Sequence, residues 1–234
     1  GDKIYGGTFD GTTAVKSGTD WVDYSYITDT KAINVDLSAV SNQVSQIGTP
    51  ASADTLTHIE NVVGTKNADI LKGDDSFTIT NSLLGYDGND TFVVSKGSDY
   101  IDGGNGTNTM DYSSVNMSDG GNRVVVDLGI EKALDNGYHL DPLGANTLVE
   151  DILKNIQRVI GTSADDTLYG NSYANVFVGG AGNDTIDARE GNDTIYGISG
   201  NNKLYGGVEN DIIYGGTGND TLDGGSGDDI LDGR

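Results

Sequence analysis

From Gly161 onward the apolar positions of the chain return every nine residues. Eight consecutive nonapeptides read without a gap: GTSADDTLY, GNSYANVFV, GGAGNDTID, AREGNDTIY, GISGNNKLY, GGVENDIIY, GGTGNDTLD and GGSGDDILD. The eighth position is always apolar, as Leu168, Phe177, Ile186, Ile195, Leu204, Ile213, Leu222 and Leu231. The sixth is always Asp or Asn, as Asp166, Asn175, Asp184, Asp193, Asn202, Asp211, Asp220 and Asp229. One apolar residue flanked by two others predicts a three-residue strand, and six residues rich in Gly, Asn and Asp predict a tight turn. Two nonapeptides then make one coil of eighteen residues with a strand on each face, and stacking sets equivalent residues about 4.8 Å apart. The eighth positions face inward as two aliphatic ladders. The expected fold class is all-β: a parallel β-roll, or solenoid, in tandem blocks joined by connectors.

The same phase recurs upstream. Residues 85–111 read GYDGNDTFV, VSKGSDYID and GGNGTNTMD, with Asp90, Asp99 and Asn108 in sixth place. GTKNADILK at 64–72 and VKSGTDWVD at 15–23 are outlying copies that bring in Asp69 and Asp20, and Asp2 is in phase with the latter. Between the blocks a second pattern occurs twice: Asp23-Tyr24, Val35-Asp36-Leu37 and DTLTHIENVVGT, then Asp111-Tyr112, Val126-Asp127-Leu128 and DILKNIQRVIGT. This divides the chain into the end of a first block (1–23), a connector (24–63), a block (64–111), a connector (112–160) and a main block (161–234). INVDLS and RVVVDL read as strands. The spacing of Leu148, Ile152, Ile156 and Val159 predicts a short helix within 147–160, and TLTHIENVV repeats it.

Composition narrows the function. The chain of 234 residues carries 36 acidic and 13 basic side chains, a net charge of −23, with 36 glycines and no cysteine. Such a charge repels phosphates, which excludes a nucleic-acid binder and disfavours an anionic membrane surface. No apolar run is long enough for a transmembrane segment. Thiolate metal sites are absent, and His58 and His139 lie too far apart in sequence for a zinc cluster. No catalytic constellation stands out, so a binding and folding module is expected rather than an enzyme.

Stacking also aligns the sixth-position acids, with 166, 184, 202 and 220 on one edge and 175, 193, 211 and 229 on the other. Two carboxylates about 4.8 Å apart repel by roughly 3–4 kcal/mol at an effective dielectric near 20. Such columns close only around cations. Calcium suits them best, because it takes six to eight oxygen ligands in flexible geometry, backbone carbonyls included. Without it the thin core does not offset the ordering entropy of so many glycines, so ion binding and folding are expected to coincide.

The pattern G-G-x-G-x-D-x-U-x resembles the calcium-binding nonapeptide of the RTX (repeats-in-toxin) proteins, hemolysin-type repeats of type I-secreted bacterial proteins. The resemblance covers roughly half of the chain. It implies a calcium-stabilised β-roll with several ions, each between a turn and the turn eighteen residues on, held by sixth-position side chains and by carbonyls of the preceding positions. Carried onto this sequence, the all-carboxylate pairs Asp166–Asp184, Asp193–Asp211 and Asp211–Asp229 bind most tightly. Asp184–Asn202, Asn202–Asp220 and Asn175–Asp193 bind less tightly, and Asp90–Asn108 and Asp2–Asp20 are the upstream pairs. Asn175 is the weakest candidate, since its repeat lacks most turn glycines. Carbonyl ligands are expected from Gly179, Gly180, Ala181, Gly182 and Asn183, from Gly197, Ser199 and Asn201, and from Gly206. Further along they come from Gly215, Gly216, Thr217, Gly218 and Asn219, and from Gly224, Gly225 and Gly227. The family also implies export by the type I secretion machinery of a Gram-negative bacterium, folding outside the cell, and a larger parent such as a toxin or adhesin. An alternative is a carbohydrate-binding accessory domain like the R-modules of alginate epimerases, with polysaccharide or a cell surface as partner.

Overall fold

The computed structural model describes residues 3–5, 13–14, 19–27, 31–39, 44–46, 56–57, 59–76, 79–114, 123–136 and 150–234. Among the described residues every regular element is a strand. The chain divides into two compact units, residues 1–109 with 154–156, and residues 110–153 with 157–234.

In the second unit the x-U-x triplets become strands at the expected phase. Thr167–Tyr169, Thr185–Asp187, Lys203–Val208 and Thr221–Ser226 run parallel in one sheet. Arg158–Ile160, Val176–Gly180, Thr194–Ile198, Ile212–Tyr214 and Ile230–Asp232 run parallel in the other. The register is one coil of eighteen residues, with Ile186 opposite Leu204 and Phe177 opposite Ile195. Leu168, Phe177, Ile186, Ile195, Leu204 and Ile213 are fully buried, each contributing about 1.5–3 kcal/mol. Leu222 is half-buried and Leu231 is exposed.

The connector joins the roll rather than bracing it from outside. Arg123–Asp127, Lys132–Asn136 and Glu150–Lys154 form an antiparallel meander. Its first strand pairs in parallel with Thr167–Tyr169, and Val126 extends the Leu168 ladder by one step. In the first unit Trp21–Asp23, Asn61–Val63, Ser82–Leu84 and Tyr100–Asp102 form a parallel sheet, bordered by Lys3–Tyr5. Ile33–Asp36, Ile70–Lys72 and Thr91–Val93 form another, with Val44–Gln46 antiparallel at its edge. Val22, Val62, Leu83 and Ile101 fill one ladder and Val35, Leu71 and Phe92 the other, all buried. Strands INVDLS and RVVVDL are therefore present as expected.

The helix expected over 147–160 is not found in its described part. Residues 150–154 and 158–160 are strands, separated by Asn155 at a φ of 54°. The buried residues Leu153, Ile156 and Val159 are three apart, and so are Leu56, Ile59 and Val62 in the first connector, where Leu56–Thr57 and Asn61–Val63 are strands. A spacing of three fits a helix face, but it equally fits a chain that turns a corner between two strands of a roll. Residues 147–149 lie outside the described residues.

In eight of the turns, from Tyr86 and Gly88 to Gly225 and Gly227, two positions have positive φ, the second and the fourth of the nonapeptide. Most are glycine, but Ile198 sits at φ 76° and is half exposed. A β-branched residue there is strained by about 1–2 kcal/mol, against a glycine ordering cost of roughly 0.5–1 kcal/mol. Ile198→Gly is therefore expected to stabilise the calcium-loaded chain by about 0.5–1 kcal/mol. A thermal melt checks this; a lower melting temperature contradicts it.

Candidate metal centre

Asp90, Asp184, Asp193 and Asp211 are buried and Asp220 and Asp229 half-buried in the turns, and one oxygen of each is accounted for. The Asp184 Oδ1 accepts the backbone N–H of Asp166 at 2.9 Å, and Asp193 Oδ1 that of Asn175 at 2.6 Å. Asp211 and Asp220 Oδ1 accept from Asp193 and Asn202, both at 2.8 Å, and Asp229 Oδ1 from Asp211 at 3.0 Å. In the first unit Asp90 Oδ1 accepts from Asp69 N–H at 2.8 Å. A ladder of carboxylates thus stitches each turn to the one before it.

The second oxygen is another matter. Asp90, Asp184, Asp193, Asp211 and Asp220 each hold a buried Oδ2 with no hydrogen-bond donor. What it faces is visible at the first-position glycines. A Cβ on Gly179 would lie 2.3 Å from Asp184 Oδ2 and 3.2 Å from the Gly197 carbonyl oxygen. One on Gly206 would lie 2.3 Å from Asp211 Oδ2 and 2.7 Å from the Gly224 carbonyl. One on Gly85 would meet Asp90 Oδ2 at 2.2 Å and the Gly103 carbonyl at 2.6 Å. Two acceptors crowd one point with no hydrogen between them. Glycine leaves that point open.

The asparagine turns show what fills it when the charge is absent. Asn202 Oδ1 takes the Asp184 N–H at 2.9 Å, which fixes the amide orientation, and its Nδ2 donates to the Gly215 carbonyl at 3.4 Å. Asn108 does the same, accepting from Asp90 N–H and donating to the Asn155 carbonyl at 3.0 Å. Where an Asp Oδ2 is unmatched, no hydrogen of the chain stands in place of those amide hydrogens. Among the described residues no three acidic or histidine side chains converge. The donor set is one or two carboxylates with backbone carbonyls, which suits a hard cation of flexible coordination and not zinc.

Electrostatics carry the same message. Burial pushes the Asp184 carboxyl up to about 7, and the nearby Asp166 charge adds to the rise. Burial also raises Asp90 and Asp193 to about 7 and Asp99 to about 6. Asp69, Asp166 and Asp211 are raised by burial as well. A column of buried acids is held in an uncomfortable state until positive charge reaches it.

Not every expected acid is of this kind. Asp166 receives the N–H of Thr162 at 2.6 Å, the Thr162 hydroxyl at 2.9 Å and the N–H of Val124 at 2.8 Å. Asp69 is held identically by the N–H and hydroxyl of Thr65 and the N–H of Ile33. Asp99 takes the Ser95 hydroxyl at 2.7 Å and the Asn81 N–H at 2.9 Å. Asn175 accepts from Asn171 N–H at 3.0 Å. Thr65, Ser95 and Thr162 were not singled out from the sequence, although the G-T four residues before D recurs at both block starts. Asp20, buried and with its N–H donating to Glu60 at 2.8 Å, is placed with neither group, since position two of its repeat lies outside the described residues, as does Asp2.

The other expected ligands sit around these acids. Gly179, Gly197, Gly206, Gly215 and Gly224 line the open points. Gly180, Gly182, Gly216, Gly218, Gly225 and Gly227 are the left-handed turn positions. Ser199 and Thr217 bond turn to turn through their backbones, Ser199 to Gly180 and Thr217 to Ile198. Asn183, Asn201 and Asn219 form an outer ladder running opposite to the acid ladder: Asn183 Oδ1 accepts Asn201 N–H at 2.8 Å, and Asn201 Oδ1 accepts Asn219 N–H at 2.9 Å. Arg189, which replaces a glycine, clamps the connector to the roll. Its guanidinium grips both oxygens of Asp127 at 2.8 Å and the Gly170 carbonyl at 2.7 Å.

A family model described as the RTX calcium-binding nonapeptide repeat, in four copies, matches residues 84–116, 160–195 and 196–231, just under half of the chain. Ions in that family lie between turns. No curated protein matches the chain.

Proposed function

We propose, from the premise that this chain carries RTX calcium-binding nonapeptide repeats and is a calcium-binding β-roll module, that calcium is also its folding switch. The observation that carries this is the set of buried Asp Oδ2 atoms with no donor, three of which, on Asp90, Asp184 and Asp211, face a backbone carbonyl. Bound there, calcium supplies the positive charge that lets acceptor face acceptor. The chain's own residues do the rest: glycine at the first position keeps the point open at Asp90, Asp184, Asp211 and Asp220, and Oδ1 keeps each carboxylate aimed by its bond to the preceding turn. Without the ion, the Oδ2 atoms of Asp90, Asp184, Asp193, Asp211 and Asp220 are buried with nothing to satisfy them, each costing about 1–3 kcal/mol or more.

The coupling gives the module a use in secretion. A chain unfolded at low cytosolic calcium passes a type I channel, and extracellular calcium, matched by module affinities of about 10⁻⁴–10⁻³ M, folds it outside. We place the module in a larger secreted protein, a toxin or an adhesin, in which the rolls act as folding and spacer elements rather than as a catalyst. The connectors then mark the joints between tandem rolls. Among the described residues no helix is long and apolar enough to cross a membrane.

Far-UV circular dichroism of the chain, titrated separately with calcium and magnesium, tests the reading. A cooperative coil-to-β transition below a few millimolar calcium, not reproduced by magnesium, is the expected result. A chain equally folded in calcium-depleted buffer would sink it.

A further inference from the structure

Five acids with an unmatched oxygen, those whose position two lies among the described residues, share one backbone feature that Asp69, Asp99 and Asp166 lack. The residue four before each of the five, position two of its nonapeptide, has positive φ: Tyr86 at 79°, Gly180 at 108°, Arg189 at 73°, Gly207 at 114° and Gly216 at 90°. In those turns no bond from the position-two N–H reaches the carboxylate. The residue four before Asp69, Asp99 and Asp166 is Thr65, Ser95 and Thr162, none with positive φ. There the hydroxyl donates to the acid, and in the two threonine turns the N–H does too. The threonine Oγ1 also accepts an N–H two residues on, from Asn67 and Ala164, both at 3.0 Å, which holds the clamp in place.

We infer that this chain contains two kinds of turn, and that only one takes calcium. Open turns, with position two left-handed and an Asp at position six whose Oδ2 is buried and unmatched, bind an ion: Asp90, Asp184, Asp193, Asp211 and Asp220. Closed turns need none, because donors of the chain satisfy the side chain, even where the carboxylate still faces a carbonyl, as Asp69 faces Gly85 and Asp166 faces Gly179. Closure comes in two forms. A Thr or Ser at position two donates to the acid, as at Asp69, Asp99 and Asp166, or an Asn at position six donates to the facing carbonyl, as at Asn108 and Asn202.

The placement of the threonine clamps has a physical logic. Asp69 and Asp166 sit where each connector enters its roll, and their remaining donors, Ile33 N–H and Val124 N–H, come from the connector strands. The turn before each of them belongs to a connector and has no sixth-position acid of the repeat, so the clamped carboxylate is the first of its column and ties the roll to the connector strand. A hydroxyl clamp finishes that edge without an ion. A pair such as Asp166–Asp184 therefore joins two unlike carboxylates, one satisfied by the chain and one by calcium.

The inference rests on the reading that the roll binds calcium, and the experiment separates the two. Bound ions are counted by equilibrium dialysis on the full chain at saturating calcium, for wild type, Asp184→Asn, Asp211→Asn, Asp166→Asn and Asp69→Asn. Asn202 and Asn108 show that Asn is accepted at position six, so the variants keep the roll. Asp184→Asn and Asp211→Asn are each expected to lose one ion, and Asp166→Asn and Asp69→Asn none. Loss of an ion in both Asp166→Asn and Asp69→Asn would overturn the two-turn assignment while leaving the calcium reading intact. A wild-type chain that binds no calcium would overturn both. Ion positions in crystals of the wild-type chain grown in calcium decide the same point without any variant, since an ion on Asp166 Oδ2 contradicts the assignment.

Discussion

In calcium-depleted buffer, lowering the pH from 8 to 5 is expected to restore β-structure to the chain rather than remove it. The folded-state carboxyls of Asp90, Asp184 and Asp193 are pushed up to about 7 from an ordinary value of 3.8. Between those values the folded chain binds protons that the unfolded chain does not, so stability rises as the pH falls through the window. The gain is complete below about 4, where both states are protonated, and is lost as the pH rises through 7. A protonated Asp becomes a donor to the carbonyl it faces, which is what the Asn202 amide already does. Protons and calcium therefore compete for one place. The calcium midpoint should move to higher concentration as the pH falls below 7, while the ion-free chain becomes more ordered. Circular dichroism at pH 8 and pH 5, each with and without calcium, checks both halves. An ion-free chain that stays coil at pH 5, or a midpoint that falls with pH, would mean the buried acids are not what holds the apo state open.

Gly200→Ala is expected to be among the most damaging single-methyl changes in the roll, together with Gly218→Ala. Gly200 has a φ of 117°, and a Cβ there would stand 1.7 Å from the Gly182 carbonyl oxygen in the coil below. That contact is backbone on backbone, so no side chain swings away to relieve it. Together with the left-handed conformation it costs on the order of 3 kcal/mol or more. For a chain of this size that is a fall of roughly 6–12 °C in the calcium-saturated melting temperature. Because each coil contacts only its neighbours, the damage divides the stack at that point rather than spreading evenly. Gly233→Ala is the control, since nothing lies within 4 Å of its Cβ, and should leave the melt unchanged. If both variants melt alike, coil-to-coil approach at position four is not the constraint it seems on steric grounds.

Both expectations draw on features of unequal legibility in the sequence. The nine-residue period, the ladders of Leu168, Ile186 and Leu204 and of Phe177, Ile195 and Ile213, and the burial of Asp184, Asp193 and Asp211 are all readable from spacing, because a repeat that stacks has only one way to align equivalent residues. The connectors were harder. Leu153, Ile156 and Val159 share a spacing of three that a helix and a cornering strand pair both satisfy, and pairing with the roll selects the strands. The Arg189–Asp127 clamp joins residues 62 positions apart and leaves no local trace.

The sequence by itself determined the coil length, the inward and outward faces, and the need for cations along the acid columns, since these follow from periodicity and Coulomb repulsion alone. Tertiary structure decided which acid already has its protons. Whether Asp166 is matched depends on the conformation of Thr162 and on Val124, 42 residues away in a connector strand. Asp184, identical in type and in phase, is left with an open oxygen because Gly180 turns left-handed. A carboxylate in a sequence is only a charge; its hydrogen-bond partners are set by backbone geometry, and that exists only once the coils have stacked.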